Sequence, residues 1–211
     1  MMAGDHTDGA RYAARANRLL EVLDAGGMVE AADVRSLAEQ SMRRHGLANG
    51  QRIVARAWLD PDFRDRLLTD GTAAAAELGY EMARGFQSHV ALRVVANTPE
   101  EHNLVVCTLC SCYPIAILGP PPSWYKYEAY RSRAVRDPRG VIEEFGLRLP
   151  PEARIRVWDS SSEIRYMVLP QRPAGTDGLG EEALAELVTQ ESIIGTGVPR
   201  APATDGARPR A

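Results

Sequence analysis

The 211-residue chain has the composition of a globular protein, with 45% hydrophobic and 25% charged residues. Its formal net charge of -3 argues against a general nucleic-acid binder, because such proteins usually carry a basic surface. No apolar run approaches the roughly 18 residues of a membrane span, and the N-terminus lacks the charged-then-apolar plan of a signal peptide. We therefore expect a cytoplasmic protein, in which thiols stay reduced.

The first part of the chain has a helical pattern over residues 10–79. Leucines recur at helical spacing, and Gly26 and Gly27 interrupt the pattern. Asp60 followed by Pro61 predicts the start of a helix, and residues 70–71 predict its end. We predict a helical N-terminal arm over residues 1–79 that supplies packing rather than site chemistry.

The hydrophobic period changes in the second part of the chain. Valine-rich or alternating segments predict four strands, at residues 89–95, 104–107, 154–158 and 164–169. Helical patterns cover residues 124–136, 138–145 and 181–190, and the basic residues between 126 and 139 predict a solvated or subunit-facing helix. The predicted fold class is α+β, with an α/β domain over residues 80–199 and a disordered tail over residues 200–211.

All three cysteines lie within the six residues 107–112, which have the sequence Cys-Thr-Leu-Cys-Ser-Cys. Such a cluster indicates a metal site, but structural zinc normally has four nitrogen or sulfur ligands, so His102 or His89 would have to complete it. An iron-sulfur cluster normally takes four cysteines, and a redox dithiol is expected to open a helix, whereas Pro114 follows here. Zinc, an iron-sulfur cluster and a dithiol are the conventional alternatives.

A different ligand set uses the backbone as well as the sulfurs. If the amide nitrogens of Ser111 and Cys112 lose their protons, they share a plane with the sulfurs of Cys110 and Cys112, and the sulfur of Cys107 binds axially. Five protein ligands then leave one open position. Because amide deprotonation requires a strongly Lewis-acidic, low-spin trivalent ion, the Cys-Ser-Cys spacing points to cobalt or iron.

The cysteine segment belongs to a longer pattern of short motifs. Its parts are residues 57–61, 67–72, 106–114, 118–119, 124–126, 130–133, 157–159, 165–166, 169–176 and 194–195. Over residues 53–199 the chain resembles the α-subunit of nitrile hydratase. The γ-subunit of thiocyanate hydrolase is similar throughout.

The resemblance implies a fold and a set of partners. Members of the family have an extended helical arm followed by a layered α/β domain, and their catalytic site lies at the interface with a β-subunit. We therefore expect a heterodimer, a lone α-chain that is a poor catalyst, a cobalt-loading activator protein, and a nitrile substrate, with no nucleic-acid or membrane partner. The alternatives are a γ-type subunit of thiocyanate hydrolase and a non-catalytic metal-binding subunit.

The resemblance also assigns chemistry to the cysteine segment. It implies four metal-ligating residues, Cys107, Cys110, Ser111 and Cys112. Cys110 is expected to mature to sulfinic acid and Cys112 to sulfenic acid. Thr108 and Tyr113 match cobalt members of the family, which indicates non-corrin cobalt(III) rather than iron(III). The metal would polarise the nitrile for attack by the Cys112 sulfenate oxygen or by water.

Residues around the metal are expected from the same resemblance. Asp159 and Glu163 match acidic positions behind the metal and are predicted catalytic residues, and the alternative for each is an ion pair with Arg156 or Arg165.

The substrate pocket is predicted to include Tyr113, Ile115 and His89. Many members have Trp where Ile115 stands and Gln at the position of His89, and for His89 an ordinary strand residue is the alternative. The smaller wall at Ile115 predicts a preference for aromatic or heteroaromatic nitriles.

Overall fold

The N-terminal half of the described chain is helical, as its pattern predicts. The computed structural model describes residues 6–44, 46–82, 90–110 and 112–202. Its first helices are α1 (His6–Ala25), α2 (Ala31–Arg44), α3 (Leu47–Leu59), α4 (Pro61–Thr69) and α5 (Gly71–Glu77). The break between α1 and α2 falls at Gly26 and Gly27, where the sequence predicts it.

Aspartate caps determine where two of these helices begin. The Asp60 carboxylate accepts a hydrogen bond from the backbone N–H of Phe63 at 2.9 Å, and Pro61 occupies the first turn of α4. The predicted end of α4 at Asp70 is also the start of α5, because the Asp70 carboxylate accepts from the N–H of Ala73.

The strands form two parallel pairs. They are β1 (Ala91–Ala96), β2 (Glu101–Val106), β3 (Arg154–Asp159) and β4 (Ile164–Leu169). Strand β1 pairs with β4, and β2 pairs with β3, with Val106 opposite Asp159. Because β2 and β3 are parallel, their carboxyl ends meet at one edge. That edge places the segment after Val106 beside the segment after Asp159.

Further helices lie between and after the strands. They are α6 (Ile115–Leu118), a 3-10 turn (Ser123–Lys126), α7 (Glu128–Ala134), α8 (Pro138–Glu144), α9 (Glu181–Leu187) and α10 (Gln190–Ile194). The helix predicted over residues 124–136 is therefore two elements, since Tyr127 has an extended conformation, and the helix predicted over 181–190 is divided at the extended residues Val188 and Thr189. Helix α6 was not predicted, because four apolar residues after a proline carry no helical period.

The core joins helices α3 to α5 to the strands and to the later helices. Buried residues of this core include Ile53, Leu67, Leu92, Met167 and Ile193. Core residues come from both sides of residue 79, and the boundaries at residues 79 and 199 stay predictions. Within the described ranges, no helix is both long and apolar enough to cross a membrane. Most of the predicted tail, residues 203–211, lies outside the described residues.

Candidate metal centre

The cysteine segment begins at the carboxyl end of strand β2, in which every residue after Glu101 is buried. The carbonyl of Val106 accepts a hydrogen bond from the N–H of Ser160 at 2.7 Å, so the segment leaves the sheet next to the end of β3. The carbonyl of Val105 accepts from the buried hydroxyl of Tyr130 at 2.6 Å. Ligands commonly bind at the carboxyl ends of parallel strands, and the three cysteines lie at such an end.

The three cysteine sulfurs converge on one point. The Cys107 and Cys110 sulfurs are 3.4 Å apart, the Cys110 and Cys112 sulfurs are 3.2 Å apart, and all three lie within 4.8 Å of one another. With metal–sulfur bonds of about 2.3 Å, two sulfurs at a right angle are about 3.3 Å apart, whereas two in a tetrahedral site are about 3.8 Å apart. The Cys107–Cys110 and Cys110–Cys112 separations fit right-angled coordination, which zinc sites rarely have.

The cysteines differ in exposure. Cys107 is fully buried, Cys112 is half-buried and Cys110 is exposed. Burial, together with the hydrogen bond to Cys110, raises the pKa of Cys112 to about 12, and the charge of Arg165 opposes this shift. The metal-free Cys112 thiol is therefore protonated at neutral pH, because a thiolate in this crowded site needs a compensating cation.

Thr108, between the first two cysteines, is held through both of its peptide groups. The Asp159 carboxylate accepts from the Thr108 backbone N–H at 2.9 Å and from its hydroxyl at 2.5 Å. The Arg131 guanidinium donates to the Thr108 carbonyl at 3.0 Å. Asp159 therefore contacts the cysteine segment directly, and its described partner is Thr108 rather than Arg156 or Arg165.

Two tyrosines hold the end of the segment. The hydroxyl of Tyr125 donates to the Cys112 carbonyl at 3.1 Å, and the ring of Tyr125 packs edge-on against Tyr113, with centroids 5.1 Å apart. The hydroxyl of Tyr113 accepts from the side chain of Gln190 at 3.1 Å. Burial raises the pKa of Tyr113 well above its ordinary value, so its hydroxyl keeps its proton at neutral pH.

A cleft of about 250 Å³ opens above the exposed sulfurs. It is lined by Met82, Val90, Cys110, Cys112, Tyr113, Pro114, Ile115, Ala116 and Arg165. Two of the predicted pocket residues, Tyr113 and Ile115, are therefore in its wall. His89, the third, lies outside the described residues, as does the predicted ligand Ser111.

Other predicted residues lie away from the sulfurs or contact neighbours through the backbone. The described hydrogen bonds of Glu163 are made by its backbone, to Ala91 and Ser161, and its side chain is exposed. His102 is buried, with Nε2 2.7 Å from the carbonyl oxygen of Gly195 and Nδ1 3.2 Å from the side-chain nitrogen of Asn97. Both ring nitrogens are engaged, and His102 is not part of the cysteine group that could hold a metal among the described residues; the alternative in which His89 completes a zinc site lies outside those residues.

Sequence reasoning missed three residues of the site. Tyr125 and Arg131 lie in motifs that carried the family resemblance, but a motif does not show which way a side chain points. The basic run was predicted to be solvated or subunit-facing, whereas Arg131 points to the cysteine segment. Arg165 was considered only as an ion-pair partner, whereas it lines the cleft and donates to the carbonyl of Ser161.

Comparison with known proteins finds relatives over most of the length of the chain. The family model of the nitrile hydratase alpha chain matches residues 10–197. The chain is 50% identical over 190 residues to the alpha subunit of the low-molecular weight cobalt-containing nitrile hydratase of Rhodococcus rhodochrous, with 90% of each chain covered. It is 47% identical over 156 residues to the gamma subunit of thiocyanate hydrolase of Thiobacillus thioparus, covering 71% of this chain and 64% of that subunit.

Solved structures give the same result for the fold. A double mutant of the Fe-type nitrile hydratase of Comamonas testosteroni Ni1 matches with a TM-score of 0.78 and 39% identity. The match covers 97% of this chain and 98% of that one. The predicted α+β fold and the resemblance read from the cysteine segment are both confirmed.

Proposed function

Because this chain belongs to the nitrile hydratase α-chain family, we propose that it is the metal-bearing subunit of a nitrile hydratase and hydrates a nitrile to the amide. The observation that carries the proposal is the convergence of the Cys107, Cys110 and Cys112 sulfurs within 4.8 Å at the base of an open cleft. The partner is a separate β-subunit, which forms a cytoplasmic heterodimer with this chain. An activator protein delivers the metal.

Non-corrin, low-spin cobalt(III) is the metal that the site is proposed to hold. Its ligands are the sulfurs of Cys107, Cys110 and Cys112 and the backbone nitrogens of Ser111 and Cys112. Relatives named as cobalt-containing, the right-angled sulfur spacing, and the pair Thr108 and Tyr113 support cobalt, with iron(III) as the alternative. When bound, the metal supplies a Lewis acid that polarises the nitrile group.

Two of the cysteines are proposed to carry oxygen atoms. We expect sulfinic acid at Cys110 and sulfenic acid at Cys112, and their exposure supports this assignment, because oxidation follows access to the sulfur. Cys107 is fully buried and is expected to keep an unmodified sulfur. The sulfurs of Cys110 and Cys112 line the cleft, so oxygens on them would be charged acceptors that need donors from Arg165 or from the partner subunit.

The reaction adds one water across the carbon–nitrogen triple bond. If a water attacks, its oxygen forms the carbon–oxygen bond and its two protons pass to the nitrile nitrogen. If the Cys112 sulfenate oxygen attacks, a water then displaces the product from the sulfur, so that the sulfur–oxygen bond to the product breaks, the sulfenate is restored and the two protons of the water end on the amide nitrogen. Tyr113 and Ile115 shape the substrate space. Asp159 orients the ligand segment through Thr108, Glu163 is proposed to assist proton transfer, and His89 is proposed as a further wall of the pocket.

The test is elemental analysis and mass spectrometry of the αβ complex. We expect about one cobalt per αβ pair and no stoichiometric zinc, with two added oxygens on Cys110 and one on Cys112. Cys110→Ser and Cys112→Ser should lose the charge-transfer absorption and the activity together. Active protein with unmodified thiols would contradict the maturation, and a metal-loaded but inactive complex would favour a non-catalytic metal-binding subunit.

Thiocyanate hydrolysis is the second candidate. It is favoured by the 47% identity to a thiocyanate hydrolase subunit and by Arg165, a cation on the wall of the cleft that suits a small anion. Against it, Ile115 stands where thiocyanate hydrolase γ-subunits tend to have arginine. Measuring kcat/KM for thiocyanate and for nitriles on the same cobalt-loaded complex decides between the two, and a higher value for thiocyanate would overturn our assignment.

A further inference from the structure

One short segment, residues 124–131, donates hydrogen bonds to three backbone carbonyls, one in strand β2 just before the cysteine segment and two within that segment. Tyr130 donates to the carbonyl of Val105, before the first cysteine, at 2.6 Å. Arg131 donates to the carbonyl of Thr108 at 3.0 Å, and Tyr125 donates to the carbonyl of Cys112 at 3.1 Å. The donors thus bind the end of strand β2 and the middle and the end of the cysteine segment. We refer to residues 124–131 as the bracing segment.

The bracing segment is itself held in place by burial and aromatic packing. Tyr125 and Tyr130 are fully buried, and the ring of Trp124 lies 4.9 Å from that of Tyr130 and 4.6 Å from that of Phe145. Aromatic pairs at such distances stabilise a fixed arrangement beyond the burial of their surface. Arg131 is tied to the same unit, because its Nε donates to the carbonyl of Lys126 at 3.2 Å.

Arg131 differs from the two tyrosines in what its bond controls. The Thr108 N–H belongs to the peptide group shared with Cys107, and Asp159 holds it, whereas the Thr108 carbonyl belongs to the next peptide group, which Arg131 holds. Two successive peptide planes are therefore fixed, and with them both backbone dihedrals of Thr108. Fixing a residue's backbone costs conformational entropy, and here the hydrogen bonds to Asp159 and from Arg131 offset this cost.

We propose that Arg131 is a positioning residue of the metal centre, which holds the cysteine segment in its ligating conformation before the metal arrives. This inference rests on the proposed function, because it concerns the same site. The hydrogen bond from Arg131 to the Thr108 carbonyl involves neither a metal nor a sulfur, and the segment it holds has neighbouring sulfurs 3.2 and 3.4 Å apart, the separation that right-angled ligands require. A guanidinium suits this task, because it bonds two carbonyls, of Thr108 and Lys126, from one rigid plane.

The chain offers a matched control near the end of the same helix. Arg136 is exposed, and its Nε donates to the carbonyl of Ser132, four residues earlier, with no described bond to the cysteine segment. Arg131→Met and Arg136→Met remove the same charge and the same donors. Arg131→Lys keeps the charge and a single donor nitrogen in place of the guanidinium, and it is expected to keep part of the function of Arg131.

The experiment compares wild type and these three variants as αβ complexes, prepared both without metal and with cobalt. In the metal-free complex, amide hydrogen exchange of the peptide that spans residues 105–112 should be about tenfold faster in Arg131→Met, as expected for the loss of a hydrogen bond from a charged donor. At limiting cobalt, Arg131→Met should also show lower cobalt content and a weaker charge-transfer absorption. Arg131→Lys should lie between it and wild type, and Arg136→Met should equal wild type.

If Arg131→Met has the same hydrogen exchange, cobalt content and absorption as wild type, the bracing role is overturned and the proposed function stands. If that complex does not assemble, Arg131→Lys decides, and exchange equal to that of Arg136→Met would overturn the proposal. A wild-type complex that takes up no cobalt would overturn the proposed function. In that case, the exchange measured in the metal-free complexes still decides whether Arg131 holds the cysteine segment.

Discussion

The carboxylate of Asp159 accepts two hydrogen bonds from Thr108, one from the backbone N–H at 2.9 Å and one from the hydroxyl at 2.5 Å. Because Val106 and Asp159 are opposite each other in the parallel pair β2 and β3, the aspartate meets the second residue beyond the strand. The carboxylate at the end of strand β3 therefore holds the cysteine segment directly.

Removing the Thr108 hydroxyl should therefore loosen the metal segment. Thr108→Val loses one bond to a charged acceptor at a partly exposed site, and we expect about 1 kcal/mol less stability and reduced cobalt content. Thr108→Ser keeps both donors and is the matched control. The free energy of unfolding and cobalt per αβ pair are the measurements, and equal values for Val and Ser would contradict the prediction. In a double-mutant cycle with Asp159→Asn, the two changes should be non-additive.

Gly195 is predicted to tolerate no side chain. It ends helix α10 with φ of 96°, and a Cβ there would lie 1.9 Å from the carbonyl oxygen of Asn103 on β2. Gly195→Ala places a side chain on a left-handed backbone, which costs about 1–2 kcal/mol, and adds a clash in the core. We therefore expect the free energy of unfolding to fall by at least about 3 kcal/mol. Gly178→Ala is the control, because φ there is 84° with nothing within 4 Å. Similar losses for both variants in denaturant unfolding would refute the packing argument.

How far the sequence predicts this structure depends on the range of each signal. The cap at Asp60 and the break at Gly26 were predicted because their causes lie within a few residues. The cysteine spacing predicted the convergence of the three sulfurs for the same reason, since all three come from six consecutive residues. The sequence did not predict which strands pair, because β1 with β4 and β2 with β3 bring together residues more than 50 positions apart.

The supports of the metal centre were harder to predict than its ligands. Arg131, Arg133 and Arg136 read as one basic run, yet they have three different environments. Arg131 binds the Thr108 carbonyl, Arg133 pairs with Glu144 at 2.6 Å, and Arg136 is exposed. Charge alone does not separate them, because the separation comes from where helix α7 lies against the rest of the fold.

His102 should make the stability of the chain depend on pH. Burial lowers the pKa of His102, only partly offset by its bond to the Gly195 carbonyl, so the folded state disfavours the proton that the unfolded chain accepts below about pH 6.5. The contribution is fully present above the unfolded pKa and is lost as pH falls through 6.5 towards the lower folded pKa. His102→Gln removes this titration. Between pH 8 and pH 5, the free energy of unfolding should fall more steeply in wild type than in the variant. Parallel curves would show that His102 does not cause the pH dependence.

Ile115 is the residue whose replacement should change the substrate preference of the complex. Its side chain is half-exposed on the wall of the cleft, which contains about 250 Å³, next to Tyr113 and Cys112. Many family members have Trp at this position, and we expect the smaller side chain to leave space that an aromatic or heteroaromatic nitrile would fill with favourable dispersion contacts. Ile115→Trp should lower the ratio of kcat/KM for a heteroaromatic over a small aliphatic nitrile by about tenfold, the scale of a steric change in an apolar pocket.

Ile115→Leu, of equal volume, should leave the ratio within a factor of about two and controls for disturbance of the backbone. Since the substitution adds no charge and touches no sulfur, cobalt content and absorption should be the same in all three complexes. An unchanged ratio in Ile115→Trp with normal cobalt, or a preference for the small nitrile in wild type, would show that another wall of the cleft sets the substrate range.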